Sequence, residues 1–127
     1  MTAEDCARTV LVVEDDGDIR DELADVLEDS HYRTIRAQNG EVALQKLRGG
    51  PRPCLILLDL MMPVMDGRQF LAEQQKDAAL KEIPVVVLSA HLDAAPTAGQ
   101  VKAAGFLKKP IDLPELFRTI ERFCRKC

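Results

Sequence analysis

The chain has 127 residues, enough for one domain with a sizeable core, and its 46% hydrophobic and 30% charged residues are those of an ordinary globular protein. A formal net charge of -4 with no basic stripe argues against direct nucleic-acid binding, and no apolar run approaches the roughly 20 residues that span a bilayer. The N-terminal MTAEDCARTV has neither the basic nor the apolar region of a secretory signal, so the expected location is cytoplasmic with no membrane partner.

In chain order, the first predicted strand is TVLVV (9–13), which runs directly into the consecutive acids Glu14, Asp15 and Asp16. A helical pattern follows over 18–29, where Asp18 in the first turn is stabilised by the helix dipole and needs no other role. His31 then reads as a surface loop residue, and YRTIRA (32–37) alternates in the manner of an edge strand. The second helical pattern covers 40–48. CLILLD (54–59) is the third strand, opened by Cys54 as a small buried hydrophobe. MPVMDG (62–67) is a turn in which Asp66 or Gly67 opens a helix over 67–77.

IPVVVLS (83–89) is the fourth strand. The fourth helical pattern, near 93–104, contains Pro96 and Gly99 and fits only if Pro96 lies near the first helical position and Gly105 caps the end, so a short or irregular element is expected. GFLKK (105–109) is the fifth strand, and DLPE (112–115) opens the last helix with Asp112 as N-cap and Glu115 completing a capping box. The closing CRKC (124–127) has redox-motif spacing but lies at a helix C-terminus, where the dipole does not favour a thiolate, and reads as plain thiols; zinc would need two further ligands. Residues 1–127 read as a single domain with strands and helices alternating, an α/β class with a parallel sheet whose central strands are covered on both faces.

In such a sheet, ligands bind beyond the carboxyl ends of the strands. Those ends carry Glu14 and Asp15, then Asp59, Ser89 and Lys109, the last followed by Pro110. Three carboxylates and one ammonium leave a charge of about -2, which a divalent cation with oxygen ligands, Mg²⁺ above all, would balance. Cation and ammonium beside an isolated carboxylate are the equipment of phosphoryl transfer, with Asp59 as the nucleophile that forms an acyl phosphate. Taken by itself, Asp59 reads equally well as a turn or capping residue.

VVEDD, LLDLMMPVMDG, VVVLSAH and FLKKP, in this order and placement, resemble the receiver domain of two-component response regulators over essentially the whole chain. The resemblance implies a three-layer flavodoxin-like (βα)5 fold with strand order 2-1-3-4-5. It implies a phosphorelay function: Asp59 as phosphoacceptor from a sensor histidine kinase or a histidine phosphotransfer protein, in a Mg²⁺-dependent reaction with Mn²⁺ as substitute. Asp15, Asp59 and the backbone carbonyl of Met61 would ligate the metal, and Glu14 would orient it. Lys109 would pair with the phosphoryl oxygens, and Ser89 would hydrogen-bond one of them as the aromatic Phe106 switches inward. The face built by the 93–104 stretch, the fifth strand and the last helix would then meet a downstream protein, the chain being a monomer or weak homodimer. The resemblance also implies a cis Lys109–Pro110 bond.

Three features depart from the family's pattern. Met61 cannot hydrogen-bond an attacking water, which suggests slow self-dephosphorylation, whereas His91 could do so if it faced the site. Phe106 stands where tyrosine is commoner, and the Ser89-to-Lys109 segment is short. The chain ends just after the last helix, which fits either a protein acting by itself through protein contacts or part of a longer one. Two rival readings are a receiver-like interaction module that is never phosphorylated and an aspartate-nucleophile phosphohydrolase. The second is disfavoured because Leu60 and Met61, not a D-x-D pattern, follow Asp59.

Overall fold

The computed structural model describes residues 8–50, 52–59, 67–89 and 103–124. Five strands form one sheet: β1 (Thr9–Val13), β2 (Arg33–Ala37), β3 (Leu55–Asp59), β4 (Val85–Ser89) and β5 (Gly105–Lys108). They are parallel throughout and lie in the order β2-β1-β3-β4-β5. Four helices are described: α1 (Gly17–Asp29), α2 (Gly40–Gly49), α3 (Gly67–Lys76) and α4 (Leu113–Phe123). None of them is long and apolar enough to cross a membrane.

Successive strand residues face opposite sides of the sheet, and each side buries a separate cluster. Leu11, Val13, Ile56 and Leu58 pack with Leu44, Leu47, Phe70 and Leu71 of α2 and α3. Val10, Val12, Leu55, Leu57 and Leu88 pack with Leu23 and Leu27 of α1 and Leu116 and Ile120 of α4. That makes the three-layer flavodoxin-like arrangement, and it explains why β1 and β3 lack polar alternation: both of their faces are covered. β2, by contrast, is an edge, and its Arg36 reaches Asp21 at 2.8 Å and both Asp25 and Glu28 at 3.3 Å on α1.

Helix starts follow capping chemistry. Asn39 accepts from Val42 N–H at 2.9 Å, and Asp112 accepts from Glu115 N–H at 3.1 Å with a proline in the first turn of α4. Gly67 is the first residue of α3. His31 follows α1 as an exposed residue at φ 71°, a left-handed turn conformation.

Two sequence expectations need correction. Gly105 does not cap a helix: it opens β5, and Ala104 already donates to Val85 carbonyl at 2.7 Å, so the chain is extended there; the rest of the 93–104 stretch, up to residue 102, lies outside the described residues. Cys54 and Cys124 are not plain thiols but are joined in a disulfide across 70 residues of sequence, with Cα atoms 5.4 Å apart. Cys124 is 2% exposed and packs in the α1/α4 cluster, because the amphipathic face of α4 carries it inward one step beyond Ile120. Cys127 lies outside the described residues.

A buried polar residue holds the α3–β4 connection. Gln74 is fully buried, and its side-chain nitrogen donates to the carbonyls of Leu80 and Ile83, both at 2.9 Å. Gln74→Ala would leave both carbonyls short of a partner and open a cavity, so chemical denaturation should show a loss of about 2 to 3 kcal/mol.

Candidate functional site

Parallel register brings the carboxyl ends of the strands to one sheet edge. Val13 pairs with Leu58, Asp59 with Leu88, and Ser89 with Lys108, so the residues that close β1, β3, β4 and β5 lie side by side. β2 and β3 lie on either side of β1, which places the topological switch point between β1 and β3.

The turn after β1 separates the three acids by role. Glu14 N–H donates to Ala37 carbonyl at 3.0 Å, which turns its side chain into the sheet edge, where it is 1% exposed. Asp16 points the other way and caps α1, accepting from Asp18 N–H at 3.0 Å and Ile19 N–H at 3.2 Å. Asp15 lies between them and is exposed. Arg20 on α1 donates to Glu14 carbonyl at 2.9 Å and fixes this turn from the helix side.

Asp59 ends β3 and is 5% exposed. Glu14, Asp15 and Asp59 each offer a carboxylate oxygen within 4.8 Å of the others, a grouping able to hold a metal ion. Lys109 follows β5, and a cis bond joins it to Pro110. Its ammonium lies 3.1 and 3.2 Å from the two Glu14 carboxylate oxygens and 3.4 Å from Asp59. Lys108, beside it, is exposed.

Burial pushes the Glu14 carboxyl up to about 8, and the hydrogen bond and negative charge of Asp59 add to this against the opposing pull of Lys109. For Lys109, burial works against the ammonium, but the Glu14 hydrogen bond and the charges of Asp59 and Glu14 outweigh it and hold the group above the ordinary lysine range. The site is thus short of positive charge, with two buried carboxylates sharing one ammonium. A hard divalent cation fits this all-oxygen donor set.

Four of the sequence-predicted site residues, Glu14, Asp15, Asp59 and Lys109, come together here. Ser89 ends β4 at the same edge. Phe106, in register with Val87, is half-buried and lines a groove with Arg118, Thr119 and Phe123 of α4. Met61 and His91 lie outside the described residues. Arg20 lies six residues beyond Glu14 in sequence, and its bond to the Glu14 carbonyl depends on how the turn and first helical turn stack.

Residues 10–121 match the response regulator receiver domain. The chain belongs to that family. Receiver domains are the signalling phosphoacceptors of two-component systems, and they bind a divalent metal. This receiver domain is 34% identical to the phosphate regulon transcriptional regulatory protein PhoB of Klebsiella pneumoniae over 94% of its own length but 53% of PhoB, so it spans about half the length of that relative. It is 31% identical to the polar-differentiation response regulator DivK of Brucella anthropi, covering 91% of this chain and 95% of DivK. Among solved structures, response regulator TrrA of Thermotoga maritima in complex with Mg²⁺–BeF superposes with a TM-score of 0.80 at 28% identity, covering 91% of this chain and 97% of TrrA.

Proposed function

We propose that this receiver domain is a phosphorylation switch in which Asp59 accepts a phosphoryl group from the phosphohistidine of a sensor histidine kinase or a histidine phosphotransfer protein. The observation that carries this reading is the convergence of Glu14, Asp15 and Asp59 within 4.8 Å, with Lys109 bridging Glu14 and Asp59. Glu14, Asp15, Asp59 and the Met61 carbonyl are the groups that would hold Mg²⁺, or Mn²⁺ in its place, and the ion would neutralise charge on the phosphoryl oxygens.

The Asp59 carboxylate forms the new P–O bond in line as the donor's P–N bond breaks, its electron pair leaving with the imidazole. The Lys109 ammonium is held where it meets the transferred oxygens. The Ser89 hydroxyl donates to one of them in the product, and Phe106 moves inward behind it. Through that movement β5 and α4 present a changed face to a downstream protein. Met61 shields the acyl phosphate from water and keeps its hydrolysis slow.

Incubation with acetyl phosphate and Mg²⁺, followed by intact mass measurement, tests the reading. A stable gain of one phosphoryl group supports it. Acetyl phosphate turnover without an adduct would point to a phosphohydrolase, and no reaction to a module that is never phosphorylated.

The divided roles of Asp15 and Asp16 predict separable variants. Asp15→Asn should weaken Mg²⁺ binding at least tenfold with little change in melting temperature. Asp16→Ala should cost about 1 kcal/mol of stability through the lost cap and leave Mg²⁺ affinity intact. Isothermal titration and thermal melts on both variants check this.

The raised Glu14 carboxyl sets a pH dependence. Below about 8 the folded protein keeps a proton that the ion must expel, so Mg²⁺ affinity should rise with pH, by up to tenfold per unit, and level off above about 8. Without metal the sign reverses for stability. Between the ordinary carboxyl range and about 8 the unfolded chain has released a proton that the folded one retains, so the metal-free fold should weaken as pH rises through that window. Titrations and melts from pH 5 to 9 at fixed ionic strength measure both.

A further inference from the structure

We propose that Cys54 and Cys124 form a reversible dithiol–disulfide couple that fastens the C-terminal end of α4 to the start of β3. The two Cα atoms are 5.4 Å apart, a spacing that accepts a disulfide without backbone movement. Both backbones are fixed by bonds independent of the sulfurs. Cys54 N–H donates to Thr9 carbonyl at 2.8 Å, extending the β1–β3 ladder, and Cys124 N–H donates to Ile120 carbonyl at 2.8 Å, closing the last turn of α4.

The reduced state is equally well accommodated. Cys54 sulfur lies 3.3 Å from Thr9 carbonyl, so a thiol hydrogen there has an acceptor. Cys124 sits in the apolar cluster with Leu116 and Ile120, where a thiol packs as a small hydrophobe. Neither state strands a polar group, and neither demands a different backbone.

The pair is also asymmetric in access. Cys54 is half-buried, whereas Cys124 is 2% exposed. Solvent therefore reaches Cys54 first. With a low-molecular-weight disulfide such as oxidised glutathione as oxidant, the Cys54 thiolate attacks one sulfur and expels the first thiol. The Cys124 thiolate then displaces the second from Cys54. Two protein thiols are oxidised to one disulfide, the oxidant is reduced to two thiols, and the two cysteine protons end on those leaving groups.

The bond lies at the opposite end of β3 from Asp59, so it leaves the acidic site alone. What it changes is the anchoring of α4, which flanks β5 along the groove lined by Phe106 and Arg118. Closing a loop of 70 residues restricts the unfolded chain strongly.

The test uses the full chain carrying Cys6→Ser and Cys127→Ser, equilibrated in glutathione buffers of graded redox ratio, alkylated and weighed. Two thiols should disappear together, without an accumulating glutathione adduct, and should return on shifting the ratio. The oxidised form should melt about 10 °C above the reduced one. Cys54→Ser in that background should remove the difference. Peptide mapping of the unsubstituted protein should find the Cys54–Cys124 link, which keeps the test valid should the substituted chain fail to fold. A stable glutathione adduct, disulfide-linked dimers, or oxidised and reduced forms of equal melting temperature would overturn the proposal.

Discussion

Asp59→Asn is expected to abolish phosphorylation by acetyl phosphate while leaving the fold intact or more stable. Asparagine cannot form an acyl phosphate, so the intact mass should stay at that of the unmodified chain. The stability effect has the opposite sign to that of an ordinary buried substitution. Asp59 and Glu14 are both buried carboxylates, 5% and 1% exposed, and the charge of Asp59 raises the cost of ionising Glu14. Above about pH 8, where Glu14 is ionised, removing one charge relieves that repulsion; burial still holds the Glu14 carboxyl up, and losing Asp59 should lower it part of the way toward its ordinary range. A variant that loses phosphorylation and also melts several degrees lower would mean that Asp59 supports the fold, and the loss would then say nothing of its chemistry.

Lys109→Ala is expected to slow phosphorylation about a hundredfold, the scale seen when one preorganised cation or donor is taken from a charged transition state. It should also destabilise the protein in a pH-dependent way. At pH 6 Glu14 still holds its proton, so losing the ammonium leaves a single buried charge. At pH 9 the variant must either keep two buried charges or hold a proton on Glu14, and the cost should approach about 3 kcal/mol. Lys109→Arg should recover most of the stability but not the rate, because a planar guanidinium meets the carboxylates with a different geometry. Stopped-time phosphorylation assays and melts at the two pH values separate these effects.

The legible parts of the fold were those written in short-range pattern. The runs 10–13, 55–58 and 85–88 are apolar on both faces in the sequence and buried in the structure, and β2 alternates and lies at an edge. The capping residue Asp112 announced α4 because it bonds to backbone within its own first turn. The strand order came from resemblance, since periodicity reports which faces are buried and not which strand is the neighbour.

What escaped the sequence reading depends on distant residues. Nothing local distinguishes Cys54 and Cys124 from isolated thiols; their pairing arises because the start of β3 and the end of α4 pack into one apolar cluster. Gln74 stands in the polar run EQQK and reads as solvent-facing, yet it is buried because the α3–β4 connection folds back over it and presents two carbonyls. The acidic site was legible for the opposite reason. In a parallel sheet the strand ends converge whatever lies between them, so Glu14, Asp15, Asp59 and Lys109 could be grouped from their positions alone.

On the proposed function, Asp59 carries the phosphoryl group and a divalent cation is required to put it there. Borohydride reduction of the acetyl phosphate-treated protein, followed by peptide mapping, reads this directly, because an aspartyl phosphate is reduced to homoserine at the modified position. Homoserine is expected at residue 59, dependent on Mg²⁺ and abolished by chelation. Homoserine at Asp15 or another acid, or equal conversion in the presence of chelator, would contradict it.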